Sequence, residues 1–405
     1  MSDWISKTLG EVTSYITKGI APKYTEIESQ NTVRVLNQKC NRNFEISYAP
    51  SRLNDLQLKK VPKERYLRGG DVLINSTGTG TAGRVAQVYD IQLPTTIDGH
   101  MILLRPTEEI DPLYYGYAVK ANQKFIETLA EGSTGQTEIN RQRLQDEIVI
   151  RFPKDINTQK KIASFLFHID EKIRNNTKIN NNLLKQSQAL YRSWFVNYDP
   201  FDGVKPVNWI DGTIDDLGSE IVCGKTPSTK KTEFYGGSTP FITIPDMHGC
   251  IYNVSTERYL SIAGVASQPK KSLPANTVCV SCIGTAGLVT LVSEESQSNQ
   301  QINSIIPKEG ISPYYVYLLM KTLSETINKL GQSGSTIVNL NKTQFGKIKV
   351  IIPSENVMQE FDALCSPLFE TIHLNQKENI KLSLLRDTLL PKLLSGELDV
   401  TDIDL

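Results

Sequence analysis

The sequence predicts a mixed α/β protein of two globular domains in pseudo-twofold arrangement, separated by two long helices that form an antiparallel coiled coil. Three observations predict it: an ordered internal repeat, a heptad-spaced run closing each half, and short strand-like runs between Gly/Ser/Thr-rich loops. The repeat sets the boundaries. Residues 1–153 are the first domain and 154–200 the first helix with its linker; residues 201–353 are the second domain and 354–405 the second helix and tail.

The repeat comes first. Trp4-Ile5 returns as Trp209-Ile210, and Gly19-x-x-Pro22 as Gly224-x-x-Pro227. Gly80-Thr81-Ala82-Gly83 returns as Gly284-Thr285-Ala286-Gly287, Ile139-Asn140 as Leu340-Asn341, and Pro153 as Pro353. These offsets all lie between 200 and 205. A single match at such a spacing means little, but an ordered series marks a duplication.

Each domain then reads as short strands with one helix. The strand-like runs are Val33–Leu36, Val72–Ile74, Met101–Leu104 and Ile148–Phe152, mirrored by Phe241–Ile244, Val278–Val280 and Ile348–Ile352. The helices are Pro112–Ala130 and Pro313–Leu330. Two further helical segments alternate spacings of four and three. The first runs through Ile162, Leu166, Ile169, Ile173, Asn176, Asn180, Leu183, Ser187, Leu190 and Trp194. The second runs through Phe361, Cys365, Leu368, Ile372, Asn375, Asn379, Leu382, Arg386, Leu389 and Leu393. Heptad spacing is the mark of a coiled-coil seam, and asparagines at matching levels fix register at a cost in stability. Two separate amphipathic helices would also carry apolar stripes, but the matched asparagines favour mutual pairing. At ~1.5 Å per residue each helix is about 50–55 Å long.

Composition excludes several classes. With 39% hydrophobic and 22% charged residues, no apolar run nears the ~18–20 residues that span a bilayer. Met1-Ser2-Asp3-Trp4 is not a basic region leading into an apolar one, and six scattered cysteines suggest reduced thiols, so a cytoplasmic protein is expected. Lys+Arg and Asp+Glu both total 44. The domains are near neutral (19 against 18, and 13 against 12), whereas 154–200 carries 8 against 4 and 354–405 carries 4 against 10. Oppositely charged helical segments suit packing on each other, and any attraction for nucleic acid must come from local patches.

Nothing in the chain spells catalysis. Gly78-Thr79-Gly80-Thr81-Ala82-Gly83 matches a dinucleotide fingerprint, but Arg84-Val85-Ala86-Gln87 continues as a strand, and Gly78 is replaced by Cys282 in the duplicate. It reads as a structural turn or as a turn approaching phosphate through Thr79, Thr81, Arg84 and, in the second half, Thr285. Cys279-x-x-Cys282 lacks a second pair and reads as buried and structural. Histidines 100, 168, 248 and 373 do not cluster, and Asp199-Pro200-Phe201 lacks the double proline of an amino-methyltransferase loop. Basic clusters remain. Lys59, Lys60, Lys63, Arg65 and Arg68 lie within ten residues; Lys18 and Lys23 flank one Gly-x-x-Pro, and Lys225, Lys230 and Lys231 accompany the other. A solvated face is the plain reading; recurrence in both halves favours phosphate contact. Asn37, Gln38, Asn43, Thr243, Asp246 and His248 carry the donors and acceptors a base edge requires.

Three stretches carry a resemblance: Gln159-Lys160-Lys161-Ile162-Ala163-Ser164-Phe165-Leu166 with Ile169-Asp170-Glu171-Lys172-Ile173, Leu190 to Phe201, and Leu385-Arg386-Asp387-Thr388-Leu389-Leu390-Pro391-Lys392-Leu393-Leu394-Ser395-Gly396-Glu397-Leu398. With Gly70-Asp71-Val72-Leu73-Ile74 they resemble the specificity subunits of type I restriction-modification systems over essentially the whole chain. The second helix departs from the family pattern at Val357-Met358-Gln359-Glu360-Phe361 and at Pro367, which would begin the regular helix. The resemblance implies two target-recognition domains, each reading half of a split asymmetric double-stranded DNA site, with the helices as a spacer ruler. It implies two DNA-adenine methyltransferase subunits docked on the frame and ATP-dependent restriction (translocase) subunits beyond them. S-adenosylmethionine, ATP and Mg2+ would then belong to those partners, with no cofactor on this chain. The recognition loops differ, as in Asn37-Gln38-Lys39-Cys40 against Pro245-Asp246-Met247-His248, so different half-sites are expected. A fused methyltransferase would transfer methyl groups in isolation, and a coiled-coil scaffold for protein or sugar would leave no pair of footprints on DNA.

Overall fold

The structure is a computed structural model that describes residues 3–91, 93–132, 137–332 and 339–398; the rest of the C-terminal tail lies outside them. The chain forms two compact units, Met1–Asp170 with Leu384–Leu405, and Glu171–Ser383. The division falls inside both long helices, Ile156–Arg192 and Glu355–Ser395.

In unit 1 the central sheet has four strands in the order Thr13–Lys18, Met101–Pro106, Val72–Asn75, Val85–Gln87, all antiparallel. A second sheet pairs Thr95–Ile97 parallel to Thr32–Leu36 and continues through Arg52–Asp55. Trp4–Thr8 closes the domain against Val149–Pro153. Val72, Leu73, Ile74 and Met101 through Leu104 are fully buried, as near-continuous apolar strands covered on both faces should be.

Unit 2 repeats this topology. Its central sheet runs Gly218–Cys223, Ile302–Pro307, Val278–Ser281, Val289–Val292, with Tyr252–Asn253 added parallel at the edge. Gln297–Ser298 lies parallel to Phe241–Ile242, and Ile210–Thr213 closes against Lys349–Ile352. The strand beginning at Tyr235 ends at Ile242, not Ile244, because Thr243 opens a side-chain-capped turn with Asp246.

Each expected domain helix is two. Pro112–Ala121 and Gln123–Thr128 meet at Asn122, whose Nδ2 donates to the Ala118 carbonyl at 2.9 Å and diverts it from the helical ladder. Pro313–Thr322 and Ser324–Gln332 meet likewise at Leu323. Asp111 and Ser312 cap the first pieces, each followed by proline at the first helical position. Asn140 and Asn341 cap the helices Arg141–Glu147 and Lys342–Gly346, which explains why that asparagine recurs.

The second long helix begins at Glu355, well before Pro367, and passes through Pro367 and Pro391 unbroken. Both prolines are exposed, and so are Ala363 and Asp387 four residues earlier; the carbonyls they leave unpaired lie on the solvent side. Pairing of the helices is antiparallel. In unit 2, Asn176 Nδ2 donates to Asn379 Oδ1 at 2.9 Å, Asn375 Nδ2 donates to Asn180 Oδ1 at 2.9 Å, and Lys172 meets Glu378 at 3.4 Å. Ile169, Asn176, Asn180 and Ile372 are buried, while Ile173, Leu183, Leu190, Leu368, Asn375, Asn379, Leu382 and Leu389 are half-buried. In unit 1, Arg386 meets Asp170 at 2.6 Å, and Tyr117 Oη donates to the same carboxylate at 2.7 Å. Lys120 approaches it at 3.9 Å and lies 4.3 Å over the Phe44 ring. At the corresponding level of unit 2, Phe369 replaces Asp170 and stacks on Tyr314 at 4.5 Å, and buried Ser187 stands for Arg386.

The segment after the first long helix is a packed aromatic corner. Phe195 lies 4.8 Å from Phe361 and 5.6 Å from Trp209, and Phe201 5.3 Å from Trp209. Asp199-Pro200-Phe201 is one turn of this corner, entered by left-handed Tyr198 at φ 60°.

Candidate nucleic-acid interface

Three connections meet at one end of the unit 1 central sheet. Lys18 is opposite Ile102 and Asn75 opposite Met101, so the exits of two strands flank the entry to a third. Gly19 leaves the first exit with its N–H on the Met101 carbonyl at 3.1 Å. A Cβ there would stand 2.1 Å from the Asp98 carbonyl oxygen, so this passage requires glycine. Gly224 does the same in unit 2, with its N–H on Ile302 at 3.1 Å and a built Cβ 2.1 Å from the Asn299 oxygen. The recurrence of Gly-x-x-Pro is thus a packing requirement.

The Gly-Thr-Ala-Gly turn joins antiparallel strands in both units. No helix N-terminus follows it to receive a pyrophosphate. A Cβ on Gly83 would meet Glu127 Cα at 2.7 Å, and one on Gly287 the Ser324 carbonyl oxygen at 2.7 Å, so the turn abuts the second helix piece. Thr81 Oγ1 donates to Gln38 Oε1 at 3.1 Å, and Arg84 Nη2 to the Gly80 carbonyl at 2.9 Å. Thr79 and Thr285 are exposed at the crest.

Several polar candidates are committed to loop structure. Asn37 Oδ1 accepts from Lys39 N at 2.9 Å and its Nδ2 donates to Pro50 O at 2.8 Å. Thr243 Oγ1 donates to Asp246 Oδ2 at 2.6 Å, and Asp246 Oδ1 accepts from Glu257 N at 2.8 Å. Lys18 pairs with Glu138; partial burial, and then the charge of Arg141, hold its ammonium below the usual lysine range. Lys23, Asn43, Lys59, Lys60, Lys63, Lys225, Lys230 and His248 are exposed, with no side-chain hydrogen bond or ion pair among the described residues. Asn43 is held left-handed at φ 53°, and Lys231 lies 5.0 Å over the Phe234 ring.

Each basic segment is tied to the backbone beside its Gly-x-x-Pro loop, at the first glycine in unit 1 and one residue before it in unit 2. Arg65 Nη1 donates to the Gly19 carbonyl at 3.3 Å, and Lys271 Nζ to the Cys223 carbonyl at 2.8 Å. Each belongs to a short 3-10 turn, Lys63–Arg65 and Pro269–Lys271. Sequence reasoning passed over Lys270 and Lys271. Their signal is spacing, because Arg65 and Lys271 each stand seven residues before the central strand at Val72 and Val278.

Among the described residues no group of three or more His, Cys, Asp or Glu is placed to hold a metal ion. Cys279 and Cys282 are buried, which pushes each thiol up to about 12, and Cys279 Sγ lies 3.4 Å from Ser304 Oγ. Such thiols are protonated and inert near neutrality. No helix among the described residues is long and apolar enough to cross a membrane.

Comparison with known proteins agrees with this geometry. The sequence matches the family described as type I restriction modification DNA specificity domain over residues 1–185 and again over 206–384. It is 31% identical to the type I restriction enzyme HindI specificity subunit of Haemophilus influenzae, covering 98% of this chain and all of that one. The MjaIX specificity subunit of Methanocaldococcus jannaschii is 26% identical, over 72% of this chain and 69% of its own. The fold is shared with the crystal structure of a type I restriction-modification S subunit from M. genitalium, at a TM-score of 0.61 and 18% identity, covering 97% of this chain and 96% of that one. A family match that covers both halves, with the duplicated sheet ends just described, leads to one conclusion: the chain belongs to the DNA specificity subunits of type I restriction-modification systems.

Proposed function

We propose that each unit reads one half of a bipartite, asymmetric DNA site through the loop end of its central sheet, and that the chain itself performs no chemistry. One observation carries this reading. The same frame of Gly-x-x-Pro loop, Gly-Thr-Ala-Gly turn and tethered basic turn is built twice, with different polar side chains on it. In this reading Lys23, Lys59, Lys60 and Lys63, and Lys225, Lys230, Lys231 and Lys270 in the other unit, meet phosphates. Such contacts give salt-dependent affinity without sequence information. The paired helices set the unread spacer and dock two DNA-adenine methyltransferase subunits, with ATP-dependent restriction subunits joining them. S-adenosylmethionine, ATP and Mg2+ belong to those partners.

The test is sequencing of methylated DNA from a host carrying this chain with its modification subunits. A split motif with two different halves is the expected result. Deleting one heptad from each helix at equivalent levels removes about 10 Å, roughly three base pairs of spacer. An unchanged motif after that deletion would refute the ruler.

A further inference from the structure

One short segment at the loop end of each central sheet is built the same way twice and carries a different side chain. It is Asp98-Gly99-His100 in unit 1 and Asn299-Gln300-Gln301 in unit 2. Each opens on a buried residue whose Oδ1 accepts the backbone N–H two residues on, at 3.0 Å from His100 and 3.1 Å from Gln301. Each closes by giving its third carbonyl to the exit of the neighbouring strand: Ser76 N donates to His100 O, and Cys282 N to Gln301 O, both at 2.8 Å. Two matched bonds, one at each end of the segment, make His100 and Gln301 the same position on the same frame.

Neither side chain belongs to the core. His100 is exposed, and its Nδ1 lies 2.9 Å from Thr77 Oγ1, which orients the ring and leaves Nε2 unengaged among the described residues. Gln301 Oε1 accepts from Asn299 Nδ2 at 3.0 Å, and its Nε2 stands at the Gly turn, 3.7 Å from a Cβ built on Gly284. Above the corresponding turn of unit 1, a Cβ on Gly80 meets nothing within 4 Å. A polar side chain already held by a neighbour loses little entropy when it binds.

We infer that His100 and Gln301 are equivalent specificity-determining residues, each touching a base edge in the half-site of its own unit; this rests on the DNA-reading function proposed above. Gln301 Nε2 is a donor, which suits a purine N7 or O6 or a thymine O4 in the major groove. His100, with Nδ1 committed to Thr77, offers a single Nε2 that donates or accepts according to tautomer. With Nε2 as acceptor, His100 faces a base amino group, and the two half-sites then differ at this position.

The test uses the full chain assembled with the modification subunits of its host. Methylation rates are measured on duplexes varied one base pair at a time through both half-sites, for wild type, His100→Gln, His100→Ala and Gln301→Ala. The His100 variants should change discrimination at one base pair of one half-site by roughly 2- to 12-fold, as one hydrogen bond allows, with the other half-site unaffected. Gln301→Ala should do the same in the opposite half-site, whereas Lys60→Ala should slow all sequences evenly. If a His100 variant lowers the melting midpoint by more than about 2 °C, Thr77→Val replaces it, freeing the ring while leaving the loop backbone bonded. A smaller loss at the same base pair is expected from Thr77→Val. Unchanged base preference in both half-sites, with methylation proceeding, overturns the inference and leaves the DNA-reading function standing. A wild-type assembly with no bipartite preference overturns that function instead.

Discussion

Replacing Arg386 with methionine removes one partner of a buried ion pair and leaves the other in place. The Arg386 and Asp170 side chains are 16% and 8% exposed and meet at 2.6 Å. Breaking such a pair costs about 3–5 kcal/mol when the remaining charge has no other partner. Asp170 keeps two, the Tyr117 hydroxyl at 2.7 Å and Lys120 at 3.9 Å, so the cost falls to about 2–3 kcal/mol. For a unit of this size that is a fall of about 5–10 °C in the midpoint of its calorimetric transition. The triple variant Lys120→Met, Asp170→Leu, Arg386→Met replaces the three least exposed charges with apolar side chains, leaves the exposed Asp387 in water, and should recover most of the loss. A shift under about 2 °C for Arg386→Met, or a triple variant as unstable as the single one, would refute the reasoning.

Two other predictions concern Lys120 and the second long helix. Burial pushes the Lys120 ammonium down to about 8, against the pull of Asp170. Its folded value lies below the unfolded 10.5, so the penalty is complete below pH 8 and is relieved as pH rises to 10.5. Wild-type stability relative to Lys120→Met should therefore climb by about 3 kcal/mol across that window in denaturant titrations, and parallel curves would rule it out. Pro367→Ala restores a helical hydrogen bond at an exposed position and should raise the melting midpoint by the equivalent of about 1–3 kcal/mol; a lowered midpoint would count against the account of that proline.

The strands were legible because buried apolar runs such as Val72-Leu73-Ile74 carry their own signal, and the domain helices because Asp111-Pro112 and Ser312-Pro313 are helix starts. Arg141–Glu147 and Lys342–Gly346 were not, since one or two turns are too short to show periodicity. The end of the first domain helix was missed because Asn122 spends its side chain on Ala118, a choice between local bonds that composition does not reveal. Among the loops, residue type did not reveal which side chains are already bonded within the protein. Asn37 and Thr243 carry the right groups for a base edge but give them to Pro50 and Asp246. His100 looked solitary in the sequence, and its equivalence to Gln301 is visible only through shared backbone bonds. The Lys120–Asp170–Arg386 trio joins positions too distant along the chain for any spacing rule to connect.

Unit 1 is completed by residues that follow the whole of unit 2 in the chain. Leu390, Leu393 and Leu394 are buried in its core with Ile162 and Leu166, and a Cβ on Gly396 would stand 2.8 Å from the Trp4 ring. During synthesis, the first domain therefore waits with that apolar face uncovered while Glu171–Ser383 emerges. At about 5–20 residues per second the wait is on the order of 10–40 s. A chain truncated near residue 384 and released keeps every residue of the later-made unit and leaves the earlier-made one unfinished. Loss of the last helical turns should thus injure the half of the protein that was translated first.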